Sequence, residues 1–169
     1  GRITADWRES HISTRNIEKV VQDLRSAHEK LAVNKVRTRK GANSSRNSGN
    51  GCEVDAGLLP DIPDSWQYVR ADEVVEPGTV VTYGIVLPGP QVADGVPYVR
   101  GLDIEGGRVK VDQLWRTSAA IAGKHERSRL DPGDVLLCII RHLKVAIVPQ
   151  SLRGGNLTQG TVRMRPSDA

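Results

Sequence analysis

The chain has 169 residues, with 24 Lys+Arg against 20 Asp+Glu, a net charge of +4, 38% apolar residues and no Phe. That length suits one ordinary domain rather than two. Nothing approaches the ~18 apolar residues of a membrane span, and no apolar h-region of a signal peptide follows Gly1 to Asp6. Two distant cysteines, Cys52 and Cys138, make no disulfide framework and fit a reducing, cytoplasmic setting. The chain does not begin with Met, so a processed or partial chain is expected.

From about Thr14 to Lys40 the pattern is helical. Ile17, Leu24 and Leu31 recur every seven residues, with Val20, Val21, Ala27 and His28 between them. This is an a/d-like stripe. A helix of ~25 residues is about 37 Å long, and alone in water it is marginal, so the stripe needs a partner. No second helix of that length follows. A second helix, in this or another chain, is therefore expected on Ile17, Val20, Leu24, Ala27 and Leu31. Residues 1–40 are assigned to this spacer helix.

Gly41 to Gly51 is rich in Gly, Ser and Asn, with nothing apolar larger than Ala. It reads as a flexible linker, taken over residues 41–58.

From Leu59 the texture changes to short strands and turns. Pro60 and Pro63 bracket an extended opening to Trp66–Arg70. Glu76 to Thr79 is a turn before a strand at Val80–Tyr83. Strand-like segments follow at Val96–Arg100 and Val109–Val111, joined by a turn at Ile104 to Gly107. A short helix is expected over Leu114–Lys124. The turn Leu130-Asp-Pro-Gly-Asp134 launches the most apolar run, Val135–Ile140. Further strands are expected at Lys144–Pro149 and Gly160–Arg165, with Val162 and Met164 on one face. No internal repeat is visible. The fold class is α+β: a long N-terminal coiled-coil-like helix, then a β-rich domain over 59–169.

Charge is unevenly placed. Residues 1–58 and 124–169 each carry net +4, and residues 59–123 carry net −4. Between Lys30 and Cys52, six cations (Lys30, Lys35, Arg37, Arg39, Lys40 and Arg46) meet no acid. Such a block attracts polyanions; it also suits a solvated helix end, where cations complement the macrodipole.

Catalytic constellations are poor. His11, His28, His125 and His142 form no HExxH, no CxxC exists, and no metal site is expected. Neither GxxxxGK[ST] nor GxGxxG occurs. Asp103 and Glu105 alternate about Ile104 and read as a solvent-facing pair rather than an acid/base pair. Ser128 and Lys144 lack the spacing of a peptidase dyad. Cys138 reads as an inert core thiol. Trp66 and Trp115 read as core.

Five segments carry a resemblance. Leu59-Pro-Asp-Ile-Pro-Asp-Ser-Trp66 is similar to an LPxLPxGW opening. Asp94-Gly-Val-Pro-Tyr-Val-Arg-Gly-Leu-Asp-Ile104 is similar to GVPYIRxxDI, and Arg127-Ser-Arg-Leu-Asp-Pro-Gly-Asp-Val-Leu-Leu137 to RSxLxPGDVLL. Ala146-Ile-Val-Pro149 and Gly155-Asn-Leu-Thr158 follow in order. Together they resemble one target recognition domain of a type I restriction–modification specificity subunit, with the preceding spacer helix. Where the family commonly has Arg-Gly-x-x-Gly, this chain reads Arg141-His-Leu-Lys144, which removes glycines from a turn and adds basic groups.

The resemblance implies a non-catalytic subunit that reads a bipartite site on duplex DNA. It implies methylation subunits using S-adenosylmethionine and restriction subunits using ATP and magnesium as partners, with no cofactor on this chain. It also implies a domain incomplete at its C-terminus and a cytoplasmic location. Phosphate contacts set affinity and register, and base-edge contacts set sequence. The implied DNA-binding candidates are Thr82, Tyr83, Arg100, Lys110, Arg116, Lys124, Arg127, Arg129, Arg141, His142 and Lys144. Arg141 with Lys144 is the strongest pair. Arg100 has an internal ion pair with Asp103 as its bland alternative, and Arg127 or Arg129 the fixing of the turn before Asp134. A reading from another class remains: a β-rich protein–protein interaction module with a partner-binding helix and no DNA role.

Overall fold

The structure is a computed structural model; it describes residues 17–38, 56–63 and 66–167. The chain divides into two compact units, Gly1–Arg70 and Ala71–Ala169.

In the first unit, helix α1 spans Ile17–Thr38, 22 residues, about 33 Å at 1.5 Å per residue. Thr14 to Asn16, Arg39 and Lys40 lie outside the described residues. Val21 and Leu24 are buried, Val20, Ala27 and His28 half-buried, and Leu31 is 39% exposed. The buried pair is thus an i,i+3 pair rather than the seven-residue line expected through Leu31; the Ile17 side chain lies outside the description. Most of the expected linker also lies outside it. Ala56–Leu58, expected to be flexible, forms a single 3-10 turn. Beyond it the Tyr68 hydroxyl donates to the Pro60 carbonyl at 2.6 Å, which fixes the proline-bracketed stretch without making it a strand.

Among the described residues the second unit holds nine short strands: β1 Thr82–Tyr83, β2 Val96–Val99, β3 Ile104–Glu105, β4 Arg108–Val109, β5 Trp115–Thr117, β6 Val135–Cys138, β7 Lys144–Ile147, β8 Asn156–Leu157 and β9 Thr161–Met164. A four-stranded antiparallel sheet has the order β1-β9-β6-β7. A three-stranded sheet has the order β5-β2-β8, with β2 antiparallel to β5 and parallel to β8. The β3–β4 hairpin turns on Gly106 and Gly107, whose φ angles of 55° and 78° only glycine adopts freely.

Alternation in β6 builds the core. Leu136 and Cys138 are buried, and join Val99, Ile104, Leu130, Ala146, Val148, Leu152 and Leu157 in one cluster. The Cys138 thiol is free and buried there, as its apolar strand led us to expect. Val162 and Met164 do share a face of β9, but the more deeply buried face carries Thr161 and Arg163. Register explains this: Arg163 lies opposite Leu136, and Thr161 opposite Cys138.

Four expectations about elements change. The strand expected at Val109–Val111 is Arg108–Val109, and Val111–Gln113 forms a 3-10 turn. The helix expected over Leu114–Lys124 is strand β5 followed by one turn, α2 (Ala119–Gly123). Trp115 to Thr117 pair with β2, the Thr117 hydroxyl donates to the Pro88 carbonyl at 2.6 Å, and Ser118 caps the shortened helix by accepting from the Ile121 N–H. The strand expected from Val80 contains only Thr82 and Tyr83. The β6 strand ends at Cys138 rather than Ile140, because Ile139 N–H donates to Gly160 and the chain then turns sharply at Arg141. Among the described residues no helix is long and apolar enough to cross a membrane.

Candidate nucleic-acid interface

Strand ends of the second unit converge on an open cleft of about 590 Å³. β2 brings buried Tyr98 and, just past its end, Arg100. β5 brings Trp115, opposite Tyr98 in register. The β6–β7 turn brings Ile140, Arg141 and His142, and β7 begins with Lys144. Gly101 allows these ends to approach: a Cβ there would lie 2.5 Å from the Cys138 Sγ.

Arg100 is the best-fixed cation in the cleft. Its Nε donates to Asp103 Oδ2 at 2.9 Å and its Nη2 to Asp103 Oδ1 at 2.8 Å. Its backbone N–H donates to the same carboxylate at 2.8 Å. The guanidinium lies 4.7 Å from the centre of the Trp115 ring, within cation–π range. Its hydrogen bonds to Asp103 raise its pKa above the ordinary arginine value, against the cost of burial. The fork leaves Nη1 outside the pair, on a group that cannot swing away. Asp103 is 1% exposed. The expectation that Asp103 and Glu105 form a solvent-facing pair is therefore wrong for Asp103, because Arg100 supplies the counter-charge that makes its burial affordable.

The tryptophans are corrected as well. Trp66 is 57% exposed and Trp115 47% exposed, so neither is core. Trp115 is open even though Arg100 lies over one ring face.

Across the cleft, Lys144 Nζ donates to the Gly101 carbonyl at 3.3 Å. Arg141 and His142 are exposed. Arg141 has φ of 67°, and the His142 N–H donates to the Ile140 carbonyl at 2.8 Å, so the turn is a three-residue γ-turn centred on an arginine. That form is strained for a residue with a Cβ. Arg141→Gly is expected to raise folding stability by about 0.5–1 kcal/mol, the relief of left-handed strain less the extra entropy of glycine. A urea midpoint that stays put or falls contradicts the strain.

The other candidates are spread over the unit. Lys110 is ion-paired with Glu105, whose pKa that partner lowers. Arg116 Nη1 donates to the Gly95 carbonyl at 3.0 Å and holds the loop before β2. Thr82 donates to the Tyr83 carbonyl. Tyr83 lies exposed on the outer face of the four-stranded sheet, and Lys124 is exposed just after α2. Arg127 and Arg129 are exposed and line a second, smaller pocket. Neither fixes the turn before Asp134. Arg165 does so, through Nε to Asp134 Oδ1 at 2.7 Å and Nη2 to Oδ2 at 3.0 Å, with Arg153 on Asp131 at 3.2 Å. Sequence reasoning missed Arg163, in β9, and Arg165, just past its end; their i,i+2 spacing marks a shared side, and only tertiary pairing with Asp134 tells that Arg163 is buried. Among the described residues, no group of three or more His, Cys, Asp or Glu is placed to hold a metal ion.

No family model matches the chain. A curated protein, the type I restriction enzyme EcoBI specificity subunit of Escherichia coli, is 26% identical over 106 residues, which is 62% of this chain. The chain covers 22% of that protein's length. The crystal structure of the HsdS subunit from Thermoanaerobacter tengcongensis aligns over 99% of this chain and 36% of its own, at 17% identity and a TM-score of 0.45. The motif order and the curated relative agree: this chain is similar to a type I restriction enzyme specificity subunit.

Proposed function

We propose that this chain is the DNA-reading part of a type I specificity subunit, itself non-catalytic. In this reading residues 59–169 are the recognition domain, residues 41–58 a linker and residues 1–40 a spacer helix. It directs methylation and restriction subunits, which carry S-adenosylmethionine, ATP and magnesium, to a bipartite duplex site in the cytoplasm. The helix stripe from Ile17 to Leu31 meets a second spacer helix. The observation that carries the choice of surface is the convergence of Arg100, Arg141, His142 and Lys144 on one cleft. The guanidinium groups of Arg100 and Arg141 suit guanine O6 and N7, and the Lys144 ammonium suits a phosphate.

The test is enrichment of one duplex sequence from a random pool by the chain with its methylation partner. Equal recovery of all sequences rejects the reading. Arg141→Ala is expected to lower the preference at one position by about 1–3 kcal/mol. A uniform loss across sequences instead makes Arg141 a phosphate contact.

One observation favours the interaction-module reading. The outer face of the four-stranded sheet presents Tyr83, Val162, Leu137 and Val145 in one row, and Ile147 beyond it. Val145 and Ile147 are 47% and 62% exposed. Exposed apolar patches commonly mark protein contacts. Band shifts on duplex DNA, with and without the methylation partner, separate the two readings.

A further inference from the structure

The second pocket, about 260 Å³, lies beside the Asp131–Asp134 turn. Its ionic lining is four guanidinium groups, from Arg127, Arg129, Arg163 and Arg165, against two carboxylates, Glu126 and Asp131. Counting Asp134, which stands behind Arg163 and Arg165, still leaves an excess of one positive charge.

Arg163 is the unusual member. It is 4% exposed. Its Nη1 reaches the Arg129 carbonyl only at 3.5 Å and its Nη2 the Val80 carbonyl at 3.3 Å. Asp134 lies 3.8 Å away, and Nε has no hydrogen-bond partner. A buried charged donor left unmatched is costly. Burial accordingly pulls the Arg163 pKa below the ordinary arginine value, with Asp134 partly opposing it. Arg129 is tied loosely, at 3.7 Å from Glu126 with both side chains exposed.

We propose that this pocket binds a phosphate-type oxyanion, held by Arg163 from its buried wall and by Arg127 and Arg129 from its rim. A tetrahedral oxyanion offers several acceptors to converging guanidinium forks. Arg165 is bound twice to Asp134 and contributes charge rather than a free fork. The site is separate from the cleft that carries Arg100 and Arg141. It rests on the DNA reading for one point, that the phosphate comes from the duplex backbone.

The 169-residue chain is titrated with inorganic phosphate at constant ionic strength, against chloride, while thermal unfolding is followed. A saturable rise in Tm of a few degrees is expected. The Arg127→Ala/Arg129→Ala double variant, altered at exposed positions, is expected to fold normally and to bind phosphate at least tenfold more weakly. Phosphate also stabilises proteins by exclusion from their surface; that effect rises without saturation and is equal in both proteins, and such a result overturns the proposal. If phosphate binds and a short duplex displaces it, the source is the DNA backbone, and the double variant weakens all duplex sequences alike with a shallower salt slope. If phosphate binds and duplex does not displace it, the oxyanion site stands and its ligand is a free phosphate. Sequence-selective duplex binding without phosphate binding overturns this site and leaves the DNA reading intact.

Discussion

Replacing Asp134 with Ala is expected to destabilise the chain by about 3–5 kcal/mol, the usual cost of removing one partner from a buried ion pair. Asp134 is 1% exposed. Its carboxylate takes both forks of Arg165, at 2.7 and 3.0 Å, and the Asp131 backbone N–H at 2.8 Å. It is also the nearest counter-charge to buried Arg163. Alanine leaves buried Arg163 charged without its nearest counter-charge, with only Asp131 and Glu76 farther off, whereas Arg165, a quarter exposed, turns to water or to Asp131 at 2.8 Å. Asp134→Asn keeps an acceptor for Asp131 but not the charge, so its loss falls between alanine and wild type. Pairing Asp134→Leu with Arg163→Met removes both charges, and it is expected to recover much of the loss, since an apolar pair of similar volume often replaces a buried ion pair without cost. Urea unfolding of the four proteins measures this. A loss below about 1 kcal/mol for Asp134→Ala would mean that the network contributes little, as surface pairs do.

Turns whose cause is local were legible in the sequence. Gly106–Gly107 marked the β3–β4 hairpin and Pro132–Gly133 marked the start of β6, because a left-handed φ or a fixed proline writes itself into residue type. The apolar run from Val135 gave β6, and the stripe from Ile17 gave α1. What depends on distant partners was not legible. Trp115 to Thr117 holds two strand-favouring residues, but three residues are too few to announce a strand, and pairing with β2 makes them one. Asp103 and Asp134 look like surface carboxylates until their arginines are placed. The same holds for the candidate interface. Cations at strand ends were visible, and three of them, Arg100, Arg141 and Lys144, line one cleft. Composition does not say that Lys110 is tied to Glu105 or Arg116 to Gly95, and nothing local marks Trp115 as open.

The pair that organises the cleft has its own expected result. Asp103→Ala is expected to lower stability by about 2–3 kcal/mol, less than Asp134→Ala, because charge-assisted hydrogen bonds are lost but the freed partner is rehydrated. Asp103 is 1% exposed and accepts from Arg100 at three nitrogens, N, Nε and Nη2. The Arg100 side chain is 21% exposed, so once released it reaches water and gives up its position over Trp115. Arg100→Lys tests the same fork from the other side: the charge remains, but an ammonium cannot make two parallel bonds to one carboxylate. On the proposed DNA reading both variants keep the cleft's cations near the duplex. Non-specific affinity and its salt slope are then expected to hold for Arg100→Lys, while sequence preference falls about tenfold, equivalent to one well-made base contact of about 1.4 kcal/mol. Stability and sequence preference therefore fall together in both variants, while sequence preference and non-specific affinity separate in Arg100→Lys. Unfolding midpoints and competition between matched and mismatched duplexes measure the two quantities. If Arg100→Lys keeps full sequence preference, the fork serves the fold alone and base reading falls to the Arg141–Lys144 side of the cleft.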